Sequence, residues 1–489
     1  MTQPTNHAIE QAMQSVSAAV ERAAADPARP IYHFLPPAYW MNDPNGPIFH
    51  DGWLHLFYQH NPYGDDWGHM HWGHARSRDL VHWQHLPIAL WPSLDQGEEH
   101  VFSGCAWRNE QGQPLLVYTS VKTGKGDDRP PNQQWAARPL DADLFTWEKD
   151  PANPILALET HGGPPFERDW RDPFVFSEAG RTFLVLGGEY DAVAGVALYE
   201  ADDGTLTRWS YRGLLYQEPR KQGRFLECPN FVKLPRASAG MVDDAGQIGD
   251  WVLLISPYGP IETITGLFDV NTLSFTPQQR GVLDAGCSDV PNYYASNIVF
   301  DEQGRCLLLG WVRGFAVGHG WNGCLALPRL LSIGADGHPR QQPVPEMALL
   351  RGHHSHNSNL TLNGGGRVLE NVHGDALEID VLFALGSAQA VGLRLRRSAD
   401  GQAATLIRYD GHTLHVAGTE IALALGEPRQ IRLHLFLDRS VLEVFVDDGR
   451  AAITRIIDSA LEDQGVELFA EAGRASVVWI DAWEMQSIW

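Results

Sequence analysis

From about residue 30 onward, short apolar runs alternate with glycine, proline, asparagine and aspartate. Apolar runs bounded by such turn residues are typical of β-strands, and the clearest examples lie at residues 53–58, 115–120, 182–186, 252–256 and 306–312. Ahead of them, Ile9, Met13, Val16 and Val20 are three and four residues apart, which predicts an amphipathic helix over residues 7–25. The pattern predicts an all-β protein with a short N-terminal helix. That helix would serve as a brace or as a contact in a homo-oligomer.

Five short polar motifs recur along the β-rich region at similar spacing. Their central residues are Asp43, Ser103, Asp172, Glu227 and Ser296, which are separated by 60, 69, 55 and 69 residues. Each interval can hold four short strands, and a β-propeller brings one innermost strand of each four-stranded blade to a common axis. The spacing therefore predicts a five-bladed β-propeller with the five motifs at one mouth.

The length of 489 residues exceeds the size at which a single core usually keeps growing, so more than one domain is expected. A polar stretch with two prolines follows residue 341, and the alternating runs beyond it, such as 377–381 and 433–436, predict a β-sandwich. The predicted domains are an N-terminal helical extension over 1–29, the propeller over 30–345, a linker over 346–358 and the sandwich over 359–489.

Charge and composition narrow the partners. A formal charge of −23 disfavours nucleic acid and anionic membranes, whereas a neutral small molecule remains suitable. No apolar run approaches the roughly 20 residues of a membrane span, and the N-terminus lacks the features of a secretory signal, so a cytoplasmic location is expected. The five cysteines include no C-x-x-C pair and are predicted to be free thiols.

Three of the five motifs carry an acid in a constrained setting. Asp43 lies in Trp-Met-Asn-Asp-Pro-Asn-Gly, Asp172 in Trp-Arg-Asp-Pro and Glu227 in Leu-Glu-Cys-Pro-Asn. Asp-Pro is also a common turn element, so each acid taken singly has a structural explanation. Their convergence at one mouth favours chemistry, because cleavage of a glycosidic bond needs a pair of carboxyl groups and groups that orient the sugar. The residues predict a glycoside hydrolase.

In order and spacing, these segments resemble glycoside hydrolase family 32, the β-fructofuranosidases that include invertases, levanases and exo-inulinases. The resembling segments cover most of the chain and lie at residues 40–46, 57–59, 72–75, 77–80, 102–104, 171–173, 227–229, 327–329, 438–440 and 443–445. The resemblance implies a five-bladed propeller followed by a β-sandwich, no cofactor, and a retaining mechanism. Asp43 would be the nucleophile, Glu227 the general acid/base, and Asp172 would hold fructosyl hydroxyls.

The residue types suit these roles. An anionic Asp43 would stabilise an oxocarbenium-like centre, and neighbouring carboxylates would keep Glu227 protonated as an acid. Arg171 is expected to keep Asp172 ionised. The resemblance also implies residues that bind the sugar. Polar contacts would come from Asn42, Gln59, Ser103 and Arg171. Apolar walls would come from Trp67, Phe102 and Trp311, for which interior packing is the alternative.

Departures and alternatives remain. Leu226, Asn230 and Cys105 stand where relatives often carry an aromatic residue, an aspartate and a serine, so a relative's substrate preference does not transfer directly. Three histidines at 69, 71 and 74 could form a metal site, but the expectation is that they are structural and that no metal binds.

The leading hypothesis is an exo-acting β-fructofuranosidase on a small-molecule sugar, sucrose or short fructans. A fructosyltransferase with the same fructosyl-enzyme intermediate is the main alternative. A non-catalytic fructan-binding propeller, or a related propeller enzyme acting on arabinofuranosides or xylosides, fits less well, because the three acids and the full Trp-Met-Asn-Asp-Pro-Asn-Gly segment are present.

Overall fold

A computed structural model describes residues 7–124, 129–167, 169–237, 249–286, 291–424 and 429–489. The fold is a five-bladed β-propeller followed by a β-sandwich, as the spacing of the motifs and the strand pattern predicted. One α-helix, α1 (His7–Ala24), precedes the propeller, and short 3₁₀ helices lie at Leu94–Gln96 and Pro345–Leu350. None of the described helices is both long and apolar enough to cross a membrane.

The blades follow one another along the chain. The first blade consists of β1 (Tyr39–His50), β2 (Trp53–Asn61), β3 (His71–Ser77) and β4 (Trp83–Leu90). The second consists of β5 (Glu98–Arg108), β6 (Pro114–Lys122), β7 (Gln133–Pro139), β8 (Trp147–Lys149) and β9 (Leu156–Ala157), and the third of β10 (Arg171–Glu178), β11 (Arg181–Tyr190), β12 (Val193–Ala201) and β13 (Trp209–Pro219). The fourth consists of β14 (Glu227–Lys233), β15 (Trp251–Ser256), β16 (Glu262–Asp269) and β17 (Ser274–Val282), and the strands at the fifth are β18 (Tyr293–Phe300), β19 (Cys306–Val312), β20 (Trp321–Asn322), β21 (Cys324–Leu325), β22 (Arg329–Ile333) and β23 (Pro339–Pro343).

The innermost strands of the blades close a ring. β1 contacts β5, β5 contacts β10, β10 contacts β14, β14 contacts β18, and β18 returns to β1. The short β20 leaves the fifth blade and pairs in parallel with β1, which joins the last blade to the first. The five apolar runs predicted from sequence all lie in second strands of blades, β2, β6, β11, β15 and β19. These strands are rich in apolar residues because most of their residues are buried.

The helix forms where predicted, but its buried face differs from the predicted one. Ala12, Val16, Ala19 and Ala23 are buried, whereas Met13 and Val20 are exposed. Three of these four buried residues are alanines, and the backbone of Ala23 lies close to Gly320 of the propeller domain.

The sandwich consists of β24 (Arg351–His373), β25 (Ala376–Ala384), β26 (Ala390–Arg397), β27 (Thr405–Tyr409), β28 (Thr413–Val416), β29 (Thr419–Ala422), β30 (Gln430–Asp438), β31 (Val441–Val446), β32 (Ala451–Ile456) and β33 (Gly465–Met485). The long strands β24 and β33 pair along their length and pass through both layers, with β25 on one half of β33 and β26 on the other. A separate apolar core fills the space between the layers.

Residues 346–358, expected to form a linker, are instead regular structure. They form most of the 3₁₀ helix Pro345–Leu350 and the first part of β24, which pairs with β33. The polar composition of this stretch reflects the exposure of β24 to solvent, not a lack of hydrogen-bonded structure.

A buried cluster of charges joins the propeller to the sandwich. The Arg329 guanidinium is fully buried and binds Asp284 (3.1 Å) on the propeller side and Glu443 (2.5 Å) on the sandwich side. His33 bonds to Asp438 (2.8 Å) and to Glu443 (3.1 Å). Burial alone would lower the pKa of His33, but these two carboxylates raise it to about 9. The segments 327–329, 438–440 and 443–445 of the sequence thus meet at this joint.

The cysteines that the structure describes, Cys105, Cys228, Cys306 and Cys324, are free thiols, as predicted. Cys287 lies outside the described residues.

Candidate active site

Each innermost strand carries a bulge at the same level of the propeller. The register slips by one residue at residues 42–43 of β1, 102–103 of β5, 172–173 of β10, 228–229 of β14 and 295–296 of β18. The bulges therefore coincide with the five predicted motifs. Bulges re-aim side chains beside functional sites, and here they direct the polar residues of five distant segments into one mouth.

Asp43 is surrounded by donors. Its Oδ1 accepts from Asn42 Nδ2 at 3.0 Å, and its Oδ2 accepts from Gln59 Nε2 at 3.3 Å and from the Ser103 hydroxyl. Trp40 Nε1 in turn holds Asn42 Oδ1 at 2.7 Å, which fixes the orientation of the amide. Burial raises the pKa of Asp43, and the bonds from Ser103 and Asn42 oppose that rise. The carboxyl group is thus held in one orientation by three polar side chains.

Asp172 lies beside Asp43, and the Cys228 thiol lies between them. Cys228 Sγ is 3.6 Å from Asp43 Oδ2 and 3.7 Å from Asp172 Oδ2, while the Cys228 backbone N–H donates to Asp172 Oδ2 at 3.0 Å. Burial raises the pKa of Cys228 well above its ordinary value, so the sulfur remains a protonated, weak donor. Asp172 and Cys228 have φ of 67° and 48°, a left-handed conformation that costs energy and is found at functional sites.

Glu227 is held by groups from two other blades. Arg171 Nη2 donates to its Oε1 at 2.6 Å, and the Tyr294 hydroxyl lies 2.6 Å from its Oε2. Arg171 also donates to the Tyr258 hydroxyl at 2.9 Å, and the Tyr258 backbone N–H donates to the Tyr294 oxygen at 2.9 Å. The Glu227 carboxyl group is therefore tightly positioned although its side chain remains 18% exposed.

The expectation that Arg171 keeps Asp172 ionised was wrong. Burial, the largest effect, raises the pKa of Asp172 to about 7, and Glu227 and Asp43 add to the rise, against the opposing charge of Arg171. The geometry explains why Arg171 does not keep the pKa of Asp172 low. Arg171 directs its closest bond to Glu227, and only its Nε approaches Asp172 Oδ2, at 3.7 Å.

Aromatic side chains line the mouth near Asp43. Trp67 is 51% exposed, and its ring contacts Phe102 at 6.1 Å and His100 at 5.1 Å between centroids. Trp311 is only 9% exposed and packs its ring against Trp40 at 5.6 Å. Trp67 thus presents open apolar surface next to the partly exposed Phe102, which precedes Ser103 in the chain, whereas Trp311 belongs mainly to the core.

Sequence reasoning did not assign roles to Tyr294, Tyr258 or the Cys228 thiol. Tyr294 is the first residue of the blade-five motif Tyr-Ala-Ser-Asn around Ser296, so the motif itself held the signal that could have found it. Tyr258 follows β15 in the fourth blade and has no comparable signal. Its proximity to Arg171 arises only when the blades close.

The three histidines considered as metal ligands have local partners. His69 precedes β3 and has a positive φ of 46°, and its carbonyl bonds to His71 Nδ1. His74 bonds to His55 at 3.0 Å and stacks on Phe57. The absence of a functional metal here stays a prediction.

Comparison with known proteins identifies the family of the chain. The family models for the N-terminal and C-terminal domains of glycosyl hydrolases family 32 match residues 33–343 and 346–484. A levanase of Bacillus subtilis is 30% identical over 94% of this chain and 71% of its own length. A sucrose-6-phosphate hydrolase of Escherichia coli is 30% identical over 99% of this chain and 100% of its own.

Among solved structures, a β-fructofuranosidase of Bombyx mori in complex with sucrose is similar with a TM-score of 0.81 and 25% identity, and the match covers 99% of each chain. With both family models together spanning nearly the whole sequence, the chain belongs to glycosyl hydrolases family 32 and is a glycoside hydrolase.

Proposed function

We propose that the protein is a retaining, exo-acting β-fructofuranosidase in which Asp43 is the nucleophile, Glu227 the general acid/base, and Asp172 a ligand of the fructosyl hydroxyls. The observation that carries the proposal is the convergence of the three carboxyl groups at one mouth, each with a different set of partners. Such differences in environment separate the roles of otherwise similar acids.

The partners of Glu227 favour its role as the acid. The Tyr294 hydroxyl is 2.6 Å from Glu227 Oε2 and 2.8 Å from the Ser256 carbonyl oxygen, which can only accept. A hydroxyl has one proton and cannot donate to both. Arg171 holds the other carboxyl oxygen, Oε1, at 2.6 Å. The Glu227 carboxyl group is thus fixed in one orientation, as a residue that gives a proton to the leaving group requires.

Two displacement steps follow from these positions. In the first, an Asp43 carboxylate oxygen bonds to the anomeric carbon while the glycosidic bond breaks and Glu227 gives its proton to the departing oxygen. In the second, ionised Glu227 takes a proton from water, and the resulting hydroxide oxygen displaces Asp43. Because each step inverts the anomeric carbon, the released fructose keeps its β configuration.

Asp172 suits the recognition of hydroxyl groups. With a pKa of about 7, it offers both an O–H donor and oxygen acceptors near neutral pH. Asn42, Gln59, Ser103 and Arg171 add amide, hydroxyl and guanidinium groups beside it, and Trp67 with Phe102 adds an apolar wall. The names of the relatives, levanase and sucrose-6-phosphate hydrolase, support a terminal β-fructofuranosyl unit of sucrose or short fructans as the substrate.

The test combines product stereochemistry with a nucleophile variant. Proton NMR of sucrose hydrolysis should show β-fructofuranose as the first cyclic product, and Asp43→Asn should lower the rate by more than about a hundredfold while still binding sucrose. Asp51→Asn is the matched control, because Asp51 lies in the exposed turn between β1 and β2 and should retain activity. First-formed α-fructofuranose, or an active Asp43→Asn enzyme, would refute the assignment.

Hydrolysis and transfer share the first step, so a second readout separates them. Chromatography of products at low and high sucrose should show glucose and fructose in equal amounts. Fructose deficient relative to glucose, with new trisaccharides, would identify a fructosyltransferase.

A further inference from the structure

A polar recess opens directly beside the proposed acid. Its volume is about 510 Å³, and its walls include Arg171 and Tyr258, the two side chains that hold or adjoin Glu227. In the proposed mechanism Glu227 protonates the departing oxygen, so the recess beside it would receive the leaving sugar. The charges of its walls would then determine which leaving groups it accepts.

Two further arginines line the recess, and both are occupied by carboxylates. Arg220 bonds through Nη1 and Nη2 to Glu167, and its Nη2 also lies 3.0 Å from Glu189. These pairs engage both terminal nitrogens of the guanidinium.

Arg224 is still more fully bound. Its Nε donates to Glu218 at 2.6 Å, and its two terminal nitrogens donate to Glu262 at 2.9 and 3.0 Å. This ion-pair group is mostly buried, with 15% of the Arg224 side chain and 8% of Glu218 exposed. A bidentate pair of this geometry is among the strong charge-assisted hydrogen bonds. All three guanidinium nitrogens of Arg224 therefore already bond to the carboxylates of Glu218 and Glu262.

Other walls of the recess are acidic. Glu167, Asp169 and Glu189 all line it, and each would repel an incoming dianion. Lys221, the remaining basic residue of the lining, is exposed and has no carboxylate partner among the described residues. A single flexible ammonium group on the rim provides one point charge without the fork of an arginine.

We propose that the leaving-group recess selects neutral sugars and discriminates against leaving groups that carry a phosphate. The inference rests on the proposed fructosidase function and concerns the same site. It distinguishes this chain from relatives named sucrose-6-phosphate hydrolase, which match it at nearly the same identity as the levanase. Binding of a phosphate dianion by Arg220 or Arg224 would require that arginine to give up its carboxylates.

One cation outside the recess provides the opposing possibility. The Arg313 guanidinium stacks over the Tyr294 ring at 4.5 Å and lies 5.7 Å from the Trp311 ring. Its side chain donates to no residue in the described part of the chain. Arg313 is therefore the arginine that could bind a phosphate near Glu227 without losing a hydrogen bond. The experiment therefore includes Arg313→Gln.

The experiment compares kcat/KM for sucrose and for sucrose 6-phosphate, whose phosphate is on the glucosyl leaving group. The wild type should prefer sucrose by at least about tenfold. The double variant Glu167→Gln, Glu189→Gln frees Arg220 and should narrow that preference by about tenfold. Glu200→Gln is the control, because Glu200 pairs with Arg181 and Arg212 at the end of β12 away from the mouth and should leave the preference unchanged.

The outcomes distinguish a failure of the phosphate discrimination from a failure of the proposed fructosidase function. Equal or better use of sucrose 6-phosphate would overturn the inference while leaving the fructosidase function intact, and loss of that use in Arg313→Gln would locate the phosphate. A preference for sucrose that the double variant does not narrow would also overturn the assignment to these residues. If no fructoside is cleaved, calorimetric binding of both sugars to Asp43→Asn still tests the inference, and tighter binding of the phosphorylated sugar would refute it.

Discussion

Replacing Asp172 with asparagine should stabilise the folded protein in a pH-dependent way while removing most of its activity. The side chain is buried, and its pKa is raised from 3.8 to about 7. Asparagine keeps the size of the side chain and an oxygen that can accept the Cys228 backbone N–H. The variant therefore removes the ionisation of the group with little change in packing.

The sign follows from proton linkage. Because the folded-state pKa is raised, the folded protein keeps the Asp172 proton at pH values at which the unfolded chain has released it. Stability is thus fully present near pH 4, is lost as pH rises toward 7, and changes little above that. A rise of about three pKa units corresponds to roughly 4 kcal/mol of lost stability at pH 8. Most of that loss, roughly 2–3 kcal/mol, falls between pH 5 and pH 8.

Urea unfolding followed by tryptophan fluorescence at pH 5 and pH 8 measures this difference, since the chain has 17 tryptophans. The stability gained by Asp172→Asn over the wild type should be larger at pH 8 than at pH 5 by roughly 2–3 kcal/mol. Asp51→Asn, in an exposed turn, should show no such pH dependence. The kcat of Asp172→Asn should fall by at least about a hundredfold, the usual effect of losing a transition-state contact.

A stability change that is the same at both pH values would refute the reasoning, because it would mean that Asp172 ionises normally in the folded protein. Retained activity would separately refute its role in holding the sugar. Together the two readouts show whether burial of this carboxyl group costs stability for the sake of function.

Three other predictions follow from the same contacts. Tyr294→Phe removes the hydroxyl between Glu227 and Ser256. The variant should lower kcat/KM by about tenfold or more and shift the pH–rate profile. An unchanged profile would show that the hydroxyl is only structural. Arg329→Met removes the arginine that pairs with buried Asp284 and Glu443, and leaves Glu443 with His33 as its charged partner. The variant should lower the free energy of unfolding by about 3–5 kcal/mol, measured by urea denaturation. A loss below about 1 kcal/mol would contradict the importance of these ion pairs at the joint between the domains. Activity should survive exhaustive chelation, because the proposed steps use carboxyl groups alone, and recovery of a lost activity by a divalent ion would contradict this.

Much of the architecture could be predicted because local chemistry repeats at a regular interval. The spacing of Asp43, Ser103, Asp172, Glu227 and Ser296 indicates the number of blades, and in the structure each of these residues lies in or beside the bulge of an innermost strand. The second strands were predictable for a similar reason. A strand that is buried on both faces is rich in apolar residues, and that enrichment is visible in the sequence of a single chain.

The partners of these residues were not predictable to the same degree. Arg171 is adjacent to Asp172 in sequence, which led to the expectation of an ionised aspartate, but its bond goes to Glu227 in the next blade. The buried face of α1 was misjudged because it is formed mainly by alanines, whose place against the propeller is not visible in the spacing of larger apolar residues. The polar stretch after residue 345 pairs with β33 more than a hundred residues later.

The sequence by itself thus determined the number of blades, the β-rich second domain and the three acids, because strand periodicity, turn chemistry and motif spacing are local properties. Only the tertiary structure decided the raised pKa of Asp172, the contact of Tyr294 with Glu227 and the pairing of Arg220 with its carboxylates. The physical reason is that desolvation and charge pairing depend on which distant groups surround a side chain. Those neighbours are assembled only when the five blades close around their axis.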